Sequence, residues 1–177
     1  MAAETQYIDP IATKLIDKFE QYGFKELKGK YYYGTPMIIA QNQLNFPAVC
    51  ISGGVDSGTE TESNSHDRSR IRYQITIMID MKKEWLTGKN RVGPEMQLHK
   101  YLIGRDANFD MLPGSLEYVC RRHNVLDGEK RLYIDLGRET RAQIRPNIEG
   151  RGRGMLLYEG TLSIDIVHNE IKPALKA

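Results

Sequence analysis

Arginine carries most of the chemistry that residue type and spacing offer in this chain. Residues 120 to 153 hold nine lysines and arginines (Arg121, Arg122, Lys130, Arg131, Arg138, Arg141, Arg145, Arg151, Arg153) against five acids (Asp127, Glu129, Asp135, Glu139, Glu149), a local charge of +4 that leaves −2 for the rest. Arg151-Gly152-Arg153-Gly154 puts two guanidinium groups on a glycine-flanked turn. A guanidinium presents a planar fork of donors that matches phosphate or carboxylate, so this segment suits either a phosphate or a neighbouring subunit, or else a solvated loop paired with Glu149. No aromatic residue interleaves the turn, so stacking on single-stranded bases is not indicated. Cys50 and Cys120 lack the CxxC spacing of a zinc site and read as buried free thiols of a reducing compartment. His66, His99, His123 and His168 are scattered, with no HExxH pair, so no metal site is expected. The acids form no carboxylate pair, and GxSxG, Walker A and kinase-type motifs are absent, so neither a catalytic residue nor a cofactor is expected.

Residues 52 to 57 read Ser-Gly-Gly-Val-Asp-Ser, which resembles the SGGxDS phosphate-binding loop of the PP-loop ATP pyrophosphatases. In that family the loop follows a buried strand and opens a helix. Its glycines let the backbone approach the phosphates, and the helix N-terminus adds free N–H groups. The resemblance implies that Ser52, Gly53, Gly54, Asp56 and Ser57 would hold pyrophosphate, with Phe46 to Ile51 as the preceding strand. The continuation departs from the family: no apolar residue occurs from Gly58 through Arg70, and a helix without an apolar stripe cannot dock on a sheet. The hexapeptide is therefore read as part of a Gly/Ser-rich turn, with an ATP-using enzyme as the alternative.

The elements that must position these residues follow from periodicity. Asp9 caps a helix over residues 9 to 22, with Pro10 at its first position and Ile8, Ile11, Ala12, Leu15, Phe19 and Tyr22 on one stripe. Gly23 suits a left-handed position after the helix. Tyr31 to Tyr33 is β-prone, Met37 to Ala40 is a short strand or loop, and Phe46 to Ile51 is a strand. Residues 52 to 69 are polar with no apolar period and are expected to form a long exposed loop. Ile71, Tyr73, Ile75, Ile77, Ile79 and Met81 then alternate with polar or mixed residues over twelve positions. At ~3.3 Å per residue that is a strand approaching about 40 Å. Gly93-Pro94 opens a second helix that Gly104 ends. Leu116 to Cys120 and Arg131 to Leu136 read as strands, with Asp127-Gly128 as a hairpin turn between them. Met155 to His168 is a last alternating strand in which Gly160 suggests a bulge, and residues 169–177 form a tail.

The chain has 177 residues, 40% hydrophobic and 27% charged, with a net charge of +2, which excludes wholesale disorder and argues against a tight nucleic-acid clamp. No apolar run approaches the ~20 residues a membrane-spanning helix needs, and the first ten residues lack the pattern of a secretory signal. The expected fold is a single α+β domain: an antiparallel or mixed sheet with one long strand and helices packed on one face.

A capped N-terminal helix, a polar loop feeding a very long strand, a central helix and a closing alternating strand (Thr161 to Glu170) resemble, in order and size, the tail-terminator and tail-completion proteins of long-tailed bacteriophages. The resemblance covers residues 5 to 168 and is one of architecture, without a signature motif. It implies a homo-oligomeric ring, commonly a hexamer, that caps the tail tube and contacts neck or connector proteins in the virion. It further implies that Arg145, Arg151 and Arg153 face a channel through which DNA passes in sequence-independent, salt-sensitive contact. The apolar face of the long strand, Ile71, Tyr73, Ile75, Ile77 and Ile79, is the expected contact with sister copies.

Overall fold

A computed structural model describes residues 9–36, 45–63, 66–80, 93–137, 142–147 and 157–171. Its first element, α1 (Pro10–Tyr22), begins as its residue types dictate: the Asp9 carboxylate accepts hydrogen bonds from the backbone N–H groups of Ile11 and Ala12. The same carboxylate accepts a hydrogen bond from the Tyr73 hydroxyl at 2.7 Å, tying the helix start to the middle of the sheet. After a short 3-10 turn (Lys25–Leu27) come β1 (Tyr31–Tyr33), β2 (Ala48–Ser63), β3 (His66–Asp80), α2 (Pro94–Ile103), α3 (Leu116–Arg122), β4 (Leu132–Asp135), β5 (Ala142–Asn147) and β6 (Leu157–Ile171).

The strands form one mixed six-stranded sheet in the order β1-β2-β3-β6-β4, with β5 also paired to β6. β1 runs parallel to β2, and every other pairing is antiparallel. The helices cover one face, as the alternation in β3 requires. Tyr73, Ile75, Ile77 and Ile79 point to that face with Val49, Ile51, Leu162, Ile164 and Ile166, and meet Leu15 and Phe19 of α1, Leu98 and Leu102 of α2, and Leu116 and Val119 of α3. Each such fully buried side chain contributes about 1.5–3 kcal/mol. The opposite face carries, among the described residues, a smaller apolar cluster of Phe46, Ala48, Cys50, Met78 and Leu157, with Tyr32 packed against it.

The structure corrects several expectations. Residues 52 to 63 and 66 to 69 are not a loop but the two legs of a long hairpin in β2 and β3. Leu116 to Cys120 is helical: Ser115 caps it by accepting from the Tyr118 N–H, and Leu116, Val119 and Cys120 are buried at helical spacing. Cys50 and Cys120 are buried free thiols, and burial pushes the Cys120 thiol far up. Gly23 is extended (φ −75°, ψ 176°) and is glycine for space: a Cβ there would stand 2.5 Å from the Phe19 carbonyl oxygen and 2.6 Å from the Tyr31 hydroxyl. Gly160 marks no bulge, since the β3–β6 register runs unbroken through Ile77↔Gly160. It lets α2 approach, because a Cβ would meet Leu102 Cδ1 at 2.6 Å. Asp127-Gly128 lies in a turn between Leu126 and Leu132, but that turn follows helix α3 instead of joining two strands, and its positive φ falls on Lys130. β6 continues to Ile171, so residues 169–171 are strand rather than tail. Ile8, Met37 to Ala40, Met81 and residues 172–177 lie outside the described residues.

Candidate assembly surface

The inward row of β3 is apolar from Ile79 to Tyr73, half-buried at Ile71, and then becomes Ser69 and Asp67. The inward row of β6 changes at the same level, from Leu162, Ile164 and Ile166 to His168 and Glu170. A helix packed there would find nothing apolar to cover. The backbone ladder nevertheless continues, through Ser63↔His66 on one side of β3 and His66↔Ile171 on the other. The result is a three-stranded arm held by backbone pairing.

On the face opposite α1, α2 and α3 the root of the arm is braced by a charged row. Arg68 Nη2 donates to the Tyr133 hydroxyl at 2.8 Å. Arg70 Nη1 lies 3.2 Å from Asp135 Oδ2 and 3.9 Å from Asp165 Oδ2, and Arg72 Nε lies 2.9 Å from Asp165 Oδ1. This row borders a shallow groove of about 180 Å³ that also touches Ser163 and Gly137. Asp165 holds the Arg72 guanidinium above its ordinary value through its hydrogen bond and charge. Within the groove two guanidiniums, Arg70 and Arg72, face two carboxylates, Asp135 and Asp165, so the groove itself is electrically balanced and is no phosphate clamp.

Among the described residues the outer edge of β2 is the arm's longest open side. β1 pairs with β2 only at Val49, Cys50 and Ile51. From Ser52 to Ser63, β3 is the one strand partner of β2 among the described residues. At ~3.3 Å per residue this edge is about 40 Å long. Its register shifts at Gly53/Val55, Asp56/Gly58 and Thr61/Ser63, irregularities of the kind that discourage indiscriminate pairing.

The sequence-derived candidates fall as follows. Ser52 to Ser57 lie in β2, opposite Gln74 to Ile71 of β3. Gly53 takes φ +119°, and a Cβ there would sit 2.6 Å from the Arg72 carbonyl oxygen, so its glycine serves close pairing of two strands. The segment opens no helix, and the loop geometry behind the pyrophosphatase resemblance is not there. Tyr73, Ile75, Ile77 and Ile79, expected to meet sister copies, are at most 1% exposed and belong to the core, as the chain's own helices take the apolar face; Ile71 packs half-buried at its margin. Arg145 stands in β5 opposite Glu159 of β6. Its side chain, with Arg151 and Arg153, lies outside the described residues.

A second concavity was not foreseen. A groove of about 660 Å³ opens between the end of α1 and helix α3, floored by Tyr22, Phe24, Pro113, Tyr118 and His123. The Tyr22 and His123 rings stack at 3.7 Å with 7° between their planes, and Lys18 Nζ lies 5.5 Å from the Tyr22 ring centre. Burial, then the nearby Lys18 ammonium, lowers the His123 imidazole below its ordinary value. These residues come from separate segments and share no spacing that would announce them. Among the described residues no group of three metal-ligating side chains converges, and no helix is long and apolar enough to cross a membrane.

Comparison with known proteins yields no match, either to a protein-family model or to a curated protein.

Proposed function

We propose that this chain is a structural subunit that assembles with identical copies into a ring, of the kind that caps a long bacteriophage tail tube and joins it to the neck of the virion. The observation that carries the proposal is the arm. Three strands continue together past the last apolar residue of the core, and one of them leaves a twelve-residue edge without a partner strand among the described residues. An edge of that length is a liability in a monomer and a ready interface in an oligomer. The contact between copies is therefore assigned to this backbone edge, in place of the isoleucine face. The ring reading keeps Arg145, Arg151 and Arg153 as the candidates for weak, salt-sensitive contact with passing DNA.

The test is native mass spectrometry with negative-stain imaging, joined to amide hydrogen exchange at two protein concentrations. A closed ring, commonly a hexamer, is expected, with protection gained on assembly in residues 52–63 and unchanged in residues 73–79. A strict monomer at high concentration, or assembly that leaves residues 52–63 equally exchangeable, overturns the proposal.

A further inference from the structure

Phe109 is 85% exposed and adopts a φ of 64°. A bulky residue in the left-handed region is a genuine outlier, and exposing its ring brings no compensating burial. The conformation is nonetheless braced. Arg105 and Met111 form an antiparallel bridge beneath the tip. The Asp106 N–H donates to the Asp110 carbonyl at 2.9 Å, and the Phe109 N–H donates to the Asp106 carbonyl at 3.1 Å. The Asp106 carboxylate accepts from the N–H groups of Asn108 and Asp110 at 2.8 and 3.0 Å. The loop thus holds an aromatic ring out into solvent between two exposed carboxylates.

The groove at the end of α1 has the opposite character. Its floor is aromatic, and its lining includes Lys25. Lys18 lies over the Tyr22 ring, and Lys100 stands 4.8 Å from the Phe24 ring centre. The one acid in the lining, Glu26, is paired with Lys100 at 3.3 Å. We infer that the Phe109 tip of one copy docks in this groove of a second copy, its ring among Tyr22, Phe24 and Tyr118, with Asp106 and Asp110 facing Lys18 and Lys25. Tip and groove are different surfaces of one chain, so the contact is head-to-tail and repeats around a ring or along a filament. It deepens the ring proposal and rests on that proposal only for closure. The pairwise contact is testable by itself.

Sedimentation velocity over a range of concentrations compares wild type, Phe109→Asn and the double variant Lys18→Glu/Lys25→Glu. Asparagine tolerates the left-handed conformation, so Phe109→Asn is expected to keep or raise the thermal midpoint while weakening self-association by about tenfold or more. The lysine variant is expected to lose association comparably. Mixing the two, one with an intact groove and the other with an intact tip, is expected to recover association that neither shows alone. Wild-type assembly by Phe109→Asn overturns the contact and leaves the strand-edge ring standing. Loss confined to the lysine variant assigns the groove to another segment and also overturns it. A wild type that stays monomeric throughout overturns both.

Discussion

The substitution Gly53→Ala separates two accounts of the same hexapeptide. In a phosphate cradle, Gly53 would be free for backbone approach to a ligand, and alanine would impair binding while leaving the fold nearly untouched. In the structure Gly53 sits in β2 at a break in register, with φ +119°. That conformation costs an L side chain about 1–3 kcal/mol. A Cβ would also stand 2.6 Å from the Arg72 carbonyl oxygen and 3.1 Å from the Tyr73 Cα, both backbone atoms of the central strand that cannot swing aside. Overpacking against groups that do not yield costs about 1–3 kcal/mol. The two terms share one relaxation, so about 3 kcal/mol is the expected loss. For a chain of this size that lowers the midpoint by about 6–12 °C. Urea denaturation and calorimetry read it directly, with Gly128→Ala as the control, since a Cβ at Gly128 meets nothing within 4 Å. The control should stay within about 0.5 kcal/mol of wild type. If Gly53→Ala matches the control in stability and instead abolishes measurable ATP binding, the strand assignment is wrong and the phosphate loop returns.

At Gly160 the obstruction is Leu102 Cδ1 at 2.6 Å and Leu98 Cδ2 at 3.2 Å, the ends of side chains that can rotate. Gly160→Ala should therefore cost less than Gly53→Ala, about 1–2 kcal/mol by urea denaturation, and Gly160→Val distinctly more. Glu117, buried in α3, lies 2.6 Å from Arg105 Nη1 through Oε2 and 3.0 Å from Arg121 Nε through Oε1. Glu117→Gln removes both ion pairs and is expected to cost about 1–3 kcal/mol at neutral pH. Burial pushes the Glu117 carboxyl up, but the hydrogen bonds and charges of Arg105 and Arg121 outweigh it and hold it below its ordinary 4.5. The folded form is thus the stronger acid. Its contribution is complete above about pH 4.5 and is lost as pH falls through the lower folded value, so the wild-type advantage over Glu117→Gln should shrink on acidification in that window. A constant difference down to the acid transition would contradict the assignment.

The body of the fold was legible because burial writes itself into period. The Asp9 cap, the stripe of α1, the alternation of β3 from Ile71, the Gly93-Pro94 start of α2 and the alternation of β6 each record a face turned toward the core. The outer half of β2 was illegible for the same reason. From Gly58 to Ser63 it contributes no apolar residue, so its pairing with β3 leaves no period-two signature, and only the opposition of Glu60 to Arg68 hints at register. Helix α3, at seven residues, is too short to establish a period, and its β-branched and aromatic residues suggested a strand. Ser115, standing as N-cap after Pro113-Gly114, was the missed signal. The isoleucine face was read correctly as apolar and assigned to the wrong partner, because alternation reports that a face is covered and not by which chain. The aromatic groove and the Phe109 tip depend on segments that only the tertiary fold brings into relation.

The arm's energetics follow from where the apolar row stops. Ordering one residue's backbone costs about 1–2 kcal/mol, and a ladder hydrogen bond returns a net of about 0.5–1.5 kcal/mol. Beyond Ile71 those two terms nearly cancel, and among the described residues no helix adds burial to break the tie. The pairs at the arm's root, Arg70 with Asp135 and Arg68 with Tyr133, are partly solvent-exposed and hold only its base. An arm so balanced is ordered chiefly by what pairs with it. β3 is already flanked on both sides, so among the described residues the longest stretch of ladder without a second partner strand is the outer edge of β2. A strand added there completes the hydrogen bonding of residues 52–63 and tips a balance that the arm's own ladder leaves close to zero. The three register breaks along that edge narrow the choice of partner, since a regular strand cannot stay in phase across them. Assembly should therefore raise local stability most at residues 52–63 and least in the core, the same residues and the same order that amide exchange would report.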